Sequence, residues 1–311
     1  MIFTGNNREI IKGEALALRA YLHLDLLRLF GKNGFSDNKS DGVPYVDLLT
    51  TRITASESPK IVVQKILDDL SDALTYLAKD PILTGYNSEV DDNNYLLNRF
   101  YHLNYYAVIA LKSRVEFYAG NLVEAKRNAN IIIDAHNNSD LFPWGKSDDI
   151  LNPRRELRDR TISSEHLFSL NIRKLTSYIE GYFTSTDNPL LTRLSIATLF
   201  GSVDDYRKNF FETMNYVGEV PSKLWQMDGA VVNGTLVMPK RDRMPMIKLT
   251  EMYYIAAHAS INNLEESVAY LNEVLKHRGY QEAELIDYSL LNAGDVEELI
   301  LKEYQREFIA E

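Results

Sequence analysis

Residues 113–134 read Ser-Arg-Val-Glu-Phe-Tyr-Ala-Gly-Asn-Leu-Val-Glu-Ala-Lys-Arg-Asn-Ala-Asn-Ile-Ile-Ile-Asp. One helix stops at Gly120-Asn121 and a second starts at Leu122. A glycine, an amide, and then an acid–alanine pair entering the next helix is the turn chemistry of tetratricopeptide-like hairpins. Asn262-Asn263-Leu264-Glu265-Glu266-Ser267 holds the same place in a later helix pair. The two turns lie too far apart for a regular tandem array, so the pattern reads as repeats split by an insertion.

Working outward, Ile10, Leu18, Tyr21, Leu22, Leu26 and Leu29 recur mostly at three- and four-residue steps, which predicts a helix over 7–30 stopped by Gly31. A polar loop through Gly34, Asp37, Asn38, Ser40, Asp41 and Gly42 leads to Val43-Pro44-Tyr45. Ser58-Pro59 opens a second helix to about residue 78, with proline in the first turn, where its missing N–H costs nothing. Further helices are predicted over 98–119 and 122–136, and then over 245–261, 264–278 and 295–311. Between them, 137–244 carries prolines, turn formers and short apolar runs such as His166-Leu167-Phe168-Ser169-Leu170. That texture predicts short helices and one hairpin. The expected architecture is mostly α: tetratricopeptide-like helical hairpins with a loop-rich insertion. It forms one domain over 1–311, with 1–136 and 245–311 as scaffold and 137–244 as the insertion.

The 311 residues carry 45% hydrophobic and 25% charged side chains, an ordinary globular composition. A net charge of −10 argues against nucleic-acid binding and against adsorption to anionic lipid. Both short basic runs, Arg154-Arg155 with Arg158 and Arg160, and Lys240-Arg241 with Arg243, are interrupted by acids. There is no cysteine, which removes disulfides, thiolate metal sites and cysteine nucleophiles. No apolar stretch approaches the roughly 18 residues that span a bilayer.

The six histidines (His23, His102, His136, His166, His258 and His277) show no spacing that sets two imidazoles on one metal. Asp37-Asn38-Lys39-Ser40-Asp41-Gly42 begins like a calcium loop, but Lys39 and Leu48 stand where ligands belong, which makes it a solvated turn. Asp91-Asp92 is an acid pair of the kind loops carry routinely. Glu303 and Glu307 share a helix face, and with Lys302 and Arg306 beside them they read as a charged exterior. No nucleophile elbow, phosphate loop or dinucleotide fingerprint occurs. No enzyme activity, cofactor or metal is therefore expected.

The chain has 19 Tyr, 12 Phe and 2 Trp. Most sit at core spacing on helices, among them Tyr101, Tyr105, Tyr106, Phe117 and Tyr118. Four stand in the insertion instead: Trp144, Tyr182, Tyr216 and Trp225. Flat aromatic faces stack on sugar C–H surfaces, which makes these four the candidate ligand-binding residues. For each, the alternative is a plug that fixes the insertion onto the scaffold. Phe35, in the first loop, is a weaker candidate of the same kind.

Four segments in order resemble the SusD/RagB family of Bacteroidetes. They are Gly13-Glu14-Ala15-Leu16-Ala17-Leu18-Arg19-Ala20-Tyr21 with Leu27-Arg28-Leu29-Phe30-Gly31 and Val43-Pro44-Tyr45; Ala110-Leu111-Lys112-Ser113-Arg114-Val115 with Tyr118, Gly120 and Glu124-Ala125; residues 245–257 with Leu271-Asn272-Glu273-Val274 and Arg278-Gly279; and residues 300–308. The resemblance covers nearly the whole chain. It implies a tetratricopeptide-like scaffold that binds glycans or peptides without catalysis. It further implies surface exposure at the outer membrane through an N-terminal lipid, and a SusC-like TonB-dependent transporter as partner. The lipid-bearing cysteine is not in this chain, and both ends read as truncated relative to the family. Two other functions stay open at this point: a cytoplasmic tetratricopeptide-like protein–protein adaptor, and a helical glycoside hydrolase with two carboxylates facing across a cleft.

Overall fold

In the computed structural model, residues 5–32, 36–84, 96–184, 195–214, 218–225, 230–232, 234–237 and 242–311 are described. The chain divides into two compact units, Met1–Leu141 and Phe142–Glu311.

Unit 1 is built from helix pairs. α1 (Asn7–Phe30) packs on α2 (Pro59–Tyr76), and α3 (Tyr105–Tyr118) on α4 (Leu122–Asn138). The first pair touches tightly at Gly13, where an added Cβ would lie 2.7 Å from Leu77 Cγ. Gly120 takes φ +72°, and the N–H groups of Gly120 and Asn121 cap α3 by donating to Phe117 O and Glu116 O. Ser113 Oγ on α3 donates to Ala125 O on α4 at 2.8 Å, locking the hairpin.

Expected and observed helices agree for α1, α2 and α4, but α3 begins seven residues later than the spacing predicts. Asn104 caps it by accepting from Ala107 N, while residues 99–101 form a separate 3₁₀ turn. That turn carries the buried Arg99, whose guanidinium forks onto Asp80 at 2.5 and 3.1 Å and also pairs with Glu14. The loop after α1 is held from the helix itself. Arg19 grips Asp69 of α2 at 2.5 and 2.6 Å, Tyr45 donates to the same carboxylate, and the His23 ring stacks on Tyr45 at 4.1 Å. Asp41, the supposed calcium-loop acid, is taken up by Lys32 and Ser36.

Unit 2 begins with the short helix α5 (Ser147–Ile150) and strand β1 (His166–Asn171), followed by α6 (Leu175–Thr184) and α7 (Ile196–Phe200). Two hairpins follow, β2 (Phe211–Met214) with β3 (Gly218–Pro221), and β4 (Ala230–Val232) with β5 (Thr235–Val237). β6 (Arg243–Lys248) pairs antiparallel with β1 and runs straight into α8 (Leu249–Ala259), ahead of α9 (Leu264–Lys276) and α10 (Ala293–Phe308). The helix predicted from residue 245 is thus a strand up to Lys248. Pro245, which cannot donate to a ladder, is tolerated because the sheet has only two strands. Among the described residues two hairpins occur where one was expected. α8 and α9 repeat the device of unit 1, with Ser267 Oγ on α9 donating to Ala257 O at 2.7 Å.

The reading of Glu303 and Glu307 as an exterior pair is overturned. Both are buried. Glu307 meets Arg207 and Arg278 at 3.1 Å and Lys248 at 2.6 Å; Glu303 meets Arg207 at 2.9 Å and Arg306 at 2.6 Å. Asp205 forks onto Arg207, Glu165 onto Arg278, and Glu311 takes Lys223 at 2.5 Å. Arg207, Lys223, Lys248, Arg278 and Arg306 are thereby set against Glu165, Asp205, Glu303, Glu307 and Glu311. Interior charges persist only when paired in this way.

At the edge of this network, His166 is buried, and its Nε2 donates to Thr161 O at 3.0 Å. Burial first, and then the Lys248 ammonium, push its imidazole down to about 4. The unfolded chain therefore takes up a proton near pH 6.5 that the folded protein refuses until about pH 4. Stability from this group is present above that window and lost across it, on the order of 3 kcal/mol. His166→Gln, which can keep the bond to Thr161 without titrating, should flatten urea-unfolding free energy between pH 6.5 and 4.5. An unchanged slope would show that His166 is not held neutral.

Candidate functional site

The four candidate aromatics meet different fates. Tyr216 lies outside the described residues, as do Phe35 and Asp91-Asp92. Trp225 is buried, 7% exposed, and its Nε1–H donates to Pro221 O at 2.7 Å. It packs with Phe183 of α6 and Val220 of β3, and Ile179 and Ala310 pack against that cluster. This is the geometry of the plug.

Trp144 is half-buried. Its ring stacks in parallel on His277 at 4.4 Å and 11°, and leans on Tyr253 at 5.2 Å. The Arg278 guanidinium lies 5.9 Å from the ring centre. One face of the indole is thus already occupied by an imidazole, which leaves less flat surface for a ligand.

Tyr182 stands out from Trp144 and Trp225. It is 49% exposed and sits on α6, where Tyr178, four residues earlier, is 65% exposed. That spacing places the two rings side by side on one helix face. Among the described residues, nothing lies within 4 Å of where a Cβ on Gly181 would project. A glycine inside a helix costs about 0.5–1 kcal/mol against alanine, and no packing contact among the described residues accounts for it. Ser177 and Glu180 on the same helix are also exposed and supply hydrogen-bonding groups next to the rings.

The local sequence explains this presentation. In Leu175-Thr-Ser-Tyr-Ile-Glu-Gly-Tyr-Phe183, Leu175, Ile179 and Phe183 recur every four residues and form the inward stripe. Phe183 is clamped by Val220 and Trp225. With the stripe held down, Tyr178 and Tyr182 are turned to solvent. Sequence reasoning missed Tyr178 because Gly181 made the segment read as loop. The signal available was the four-residue recurrence of two tyrosines.

No protein-family model matches the chain, and no curated protein matches it. Solved structures do match. A SusD superfamily protein from Bacteroides vulgatus is 21% identical with a TM-score of 0.71, over 98% of this chain and 66% of that one. A SusD-like carbohydrate binding protein from Bacteroides vulgatus is 20% identical with a TM-score of 0.62, over 99% and 62%. A SusD superfamily protein from Bacteroides thetaiotaomicron is 17% identical with a TM-score of 0.70, over 97% and 66%. The chain thus spans just under two thirds of the length of these proteins. Over nearly its whole length, this mostly helical, tetratricopeptide-like chain has the fold of the SusD superfamily.

Proposed function

We propose that this protein binds glycans without chemical turnover and delivers them to a SusC-like TonB-dependent transporter at the surface of the outer membrane. The observation that carries the reading is the exposed Tyr178–Tyr182 pair, anchored from below by Trp225 and Phe183. Two adjacent rings offer a flat apolar surface the length of a short oligosaccharide, and the neighbouring Ser177 and Glu180 can meet its hydroxyls. The fold shared with a structure described as a SusD-like carbohydrate binding protein supports the same reading. Trp144 and Tyr216 remain proposed secondary contacts. The division into one domain, with 137–244 as an insertion, belongs to the same proposal.

A protein partner is supported by α1. Leu18, Leu22, Leu26 and Leu29 form an exposed stripe at three- and four-residue spacing, continued by Phe30. No helix among the described residues is long and apolar enough to cross a membrane.

The test is calorimetric titration with neutral gluco-, xylo- and manno-oligosaccharides. One of them should bind saturably. Tyr178→Ala and Tyr182→Ala should each weaken it about tenfold, roughly 1.4 kcal/mol, with circular dichroism unchanged. Binding that survives in the double variant would move the site off α6. No binding by any panel member would remove the glycan reading.

A further inference from the structure

Unit 1 contains an open cavity of about 460 Å³, within the size range of small-molecule pockets. It lies where the 3₁₀ turn after α2, the start of α3 and the end of α4 come together. Phe100 and Tyr106 provide ring walls, and Thr84, Asn138, Ser139 and Asp140 provide the polar atoms.

The hydrogen-bonding state of those polar atoms tells what they can take. Thr84 Oγ1 donates to Pro81 O at 2.9 Å. Asn138 Nδ2 donates to Asp134 O at 2.8 Å, and Ser139 Oγ donates to Ala135 O. Both hydroxyl donors and one N–H of Asn138 are thus taken up by nearby carbonyls, and Ser139 Oγ also accepts from Leu141 N at 3.4 Å, which leaves mainly acceptors for a ligand: the Thr84 hydroxyl, Asn138 Oδ1 and the Asp140 carboxylate. Among the described residues, Asp140 is exposed and has no hydrogen-bond or ion-pair partner. Among the described residues, no lysine or arginine lines the cavity. The end of α4 adds the negative pole of a helix dipole. Acceptors, an unneutralised carboxylate and a helix C-terminus all favour the same ligand group, a cation that carries N–H donors.

We propose that this cavity binds a primary ammonium group on a small polar body, with Asp140 as counter-ion and Phe100 and Tyr106 as walls. The proposal is independent of the tyrosine pair on α6. Two sources share the chemistry, an amino sugar and a lysine side chain, and the experiment separates them.

The purified chain is titrated by calorimetry with glucosamine disaccharide and with its di-N-acetylated form, and in parallel with N-terminally acetylated Gly-Lys-Gly and its Nε-acetyl-lysine counterpart, so that the lysine ammonium is the one amine that differs. The expected result is that at least one free amine binds, with its acetylated partner at least tenfold weaker. Whichever amine binds identifies the source. Asp140→Asn, a change on the surface that should leave the urea midpoint unmoved, should weaken that binding about tenfold, as should raising salt from low to high. Prior saturation with a neutral oligosaccharide should leave the amine titration unchanged. Equal binding of free and acetylated forms, an unaffected Asp140→Asn variant, competition by the neutral sugar, or no binding of either amine would overturn the proposal.

Discussion

Glu307→Gln is expected to lower the unfolding free energy of unit 2 by about 3–5 kcal/mol, the cost of removing one member of a buried ion pair. The loss is large because Glu307 has three cationic partners, Arg207, Arg278 and Lys248. A glutamine keeps one carbonyl oxygen but turns two N–H donors toward groups that are themselves donors. In the native protein, burial pushes the Glu307 carboxyl up, and Arg278, Lys248, Arg207 and Lys223 together hold it well below the usual carboxylate range. A depressed carboxylate contributes stability that is complete above its unfolded pKa, near 4.3, and is lost as pH falls through the folded value. Urea unfolding at pH 7 should therefore show the full loss, and the gap between variant and wild type should narrow in acid. A loss below 1 kcal/mol at pH 7 would mean that the network is not closed as described.

Trp225→Ala should cost a similar amount, about 3–5 kcal/mol, through the cavity left beside Phe183 and Val220. The Nε1 bond to Pro221 O goes as well. Trp225→Phe keeps a ring in place and should cost about 1–2 kcal/mol. The value of the pair lies in reading stability and binding together. If Trp225 anchors α6, the alanine variant loses oligosaccharide binding only together with stability, and the phenylalanine variant retains most of both. If Trp225→Ala abolished binding with an unmoved unfolding free energy, Trp225 would itself be the platform and the role assigned to Tyr178 and Tyr182 would fall.

The scaffold was legible because its decisive contacts are local. α2, α4 and α9 each show their own 3.6-residue stripe, and the Gly120-Asn121 turn announces a hairpin within six residues; α1 is apolar on two faces, so its spacing gave the helix but not which leucines are buried. What was not legible depends on distant partners. Lys302 and Arg306 beside Glu303 and Glu307 looked like a solvated face, because the groups that neutralise those carboxylates come from positions 207, 248 and 278. The strand at 243–248 looked helical because its partner lies about 75 residues earlier. Of the candidate site, Tyr182 was picked out but its companion was not. The burial of Trp225 was not legible either, because Phe183, which packs with it, lies about 40 residues earlier.

The charge network also sets an order of events during synthesis. Arg207, Lys223 and Lys248 leave the ribosome before Glu303 and Glu307 exist, and these contacts span up to 100 residues of chain. Unit 1 can close as soon as its helices are made, since its pairs are near neighbours in sequence. The segment from β1 to β6 cannot bury its cations until α10 arrives. During that wait of several seconds at typical elongation rates of about 5–20 residues per second, its strand edges and apolar side chains are open to chaperones and proteases alike.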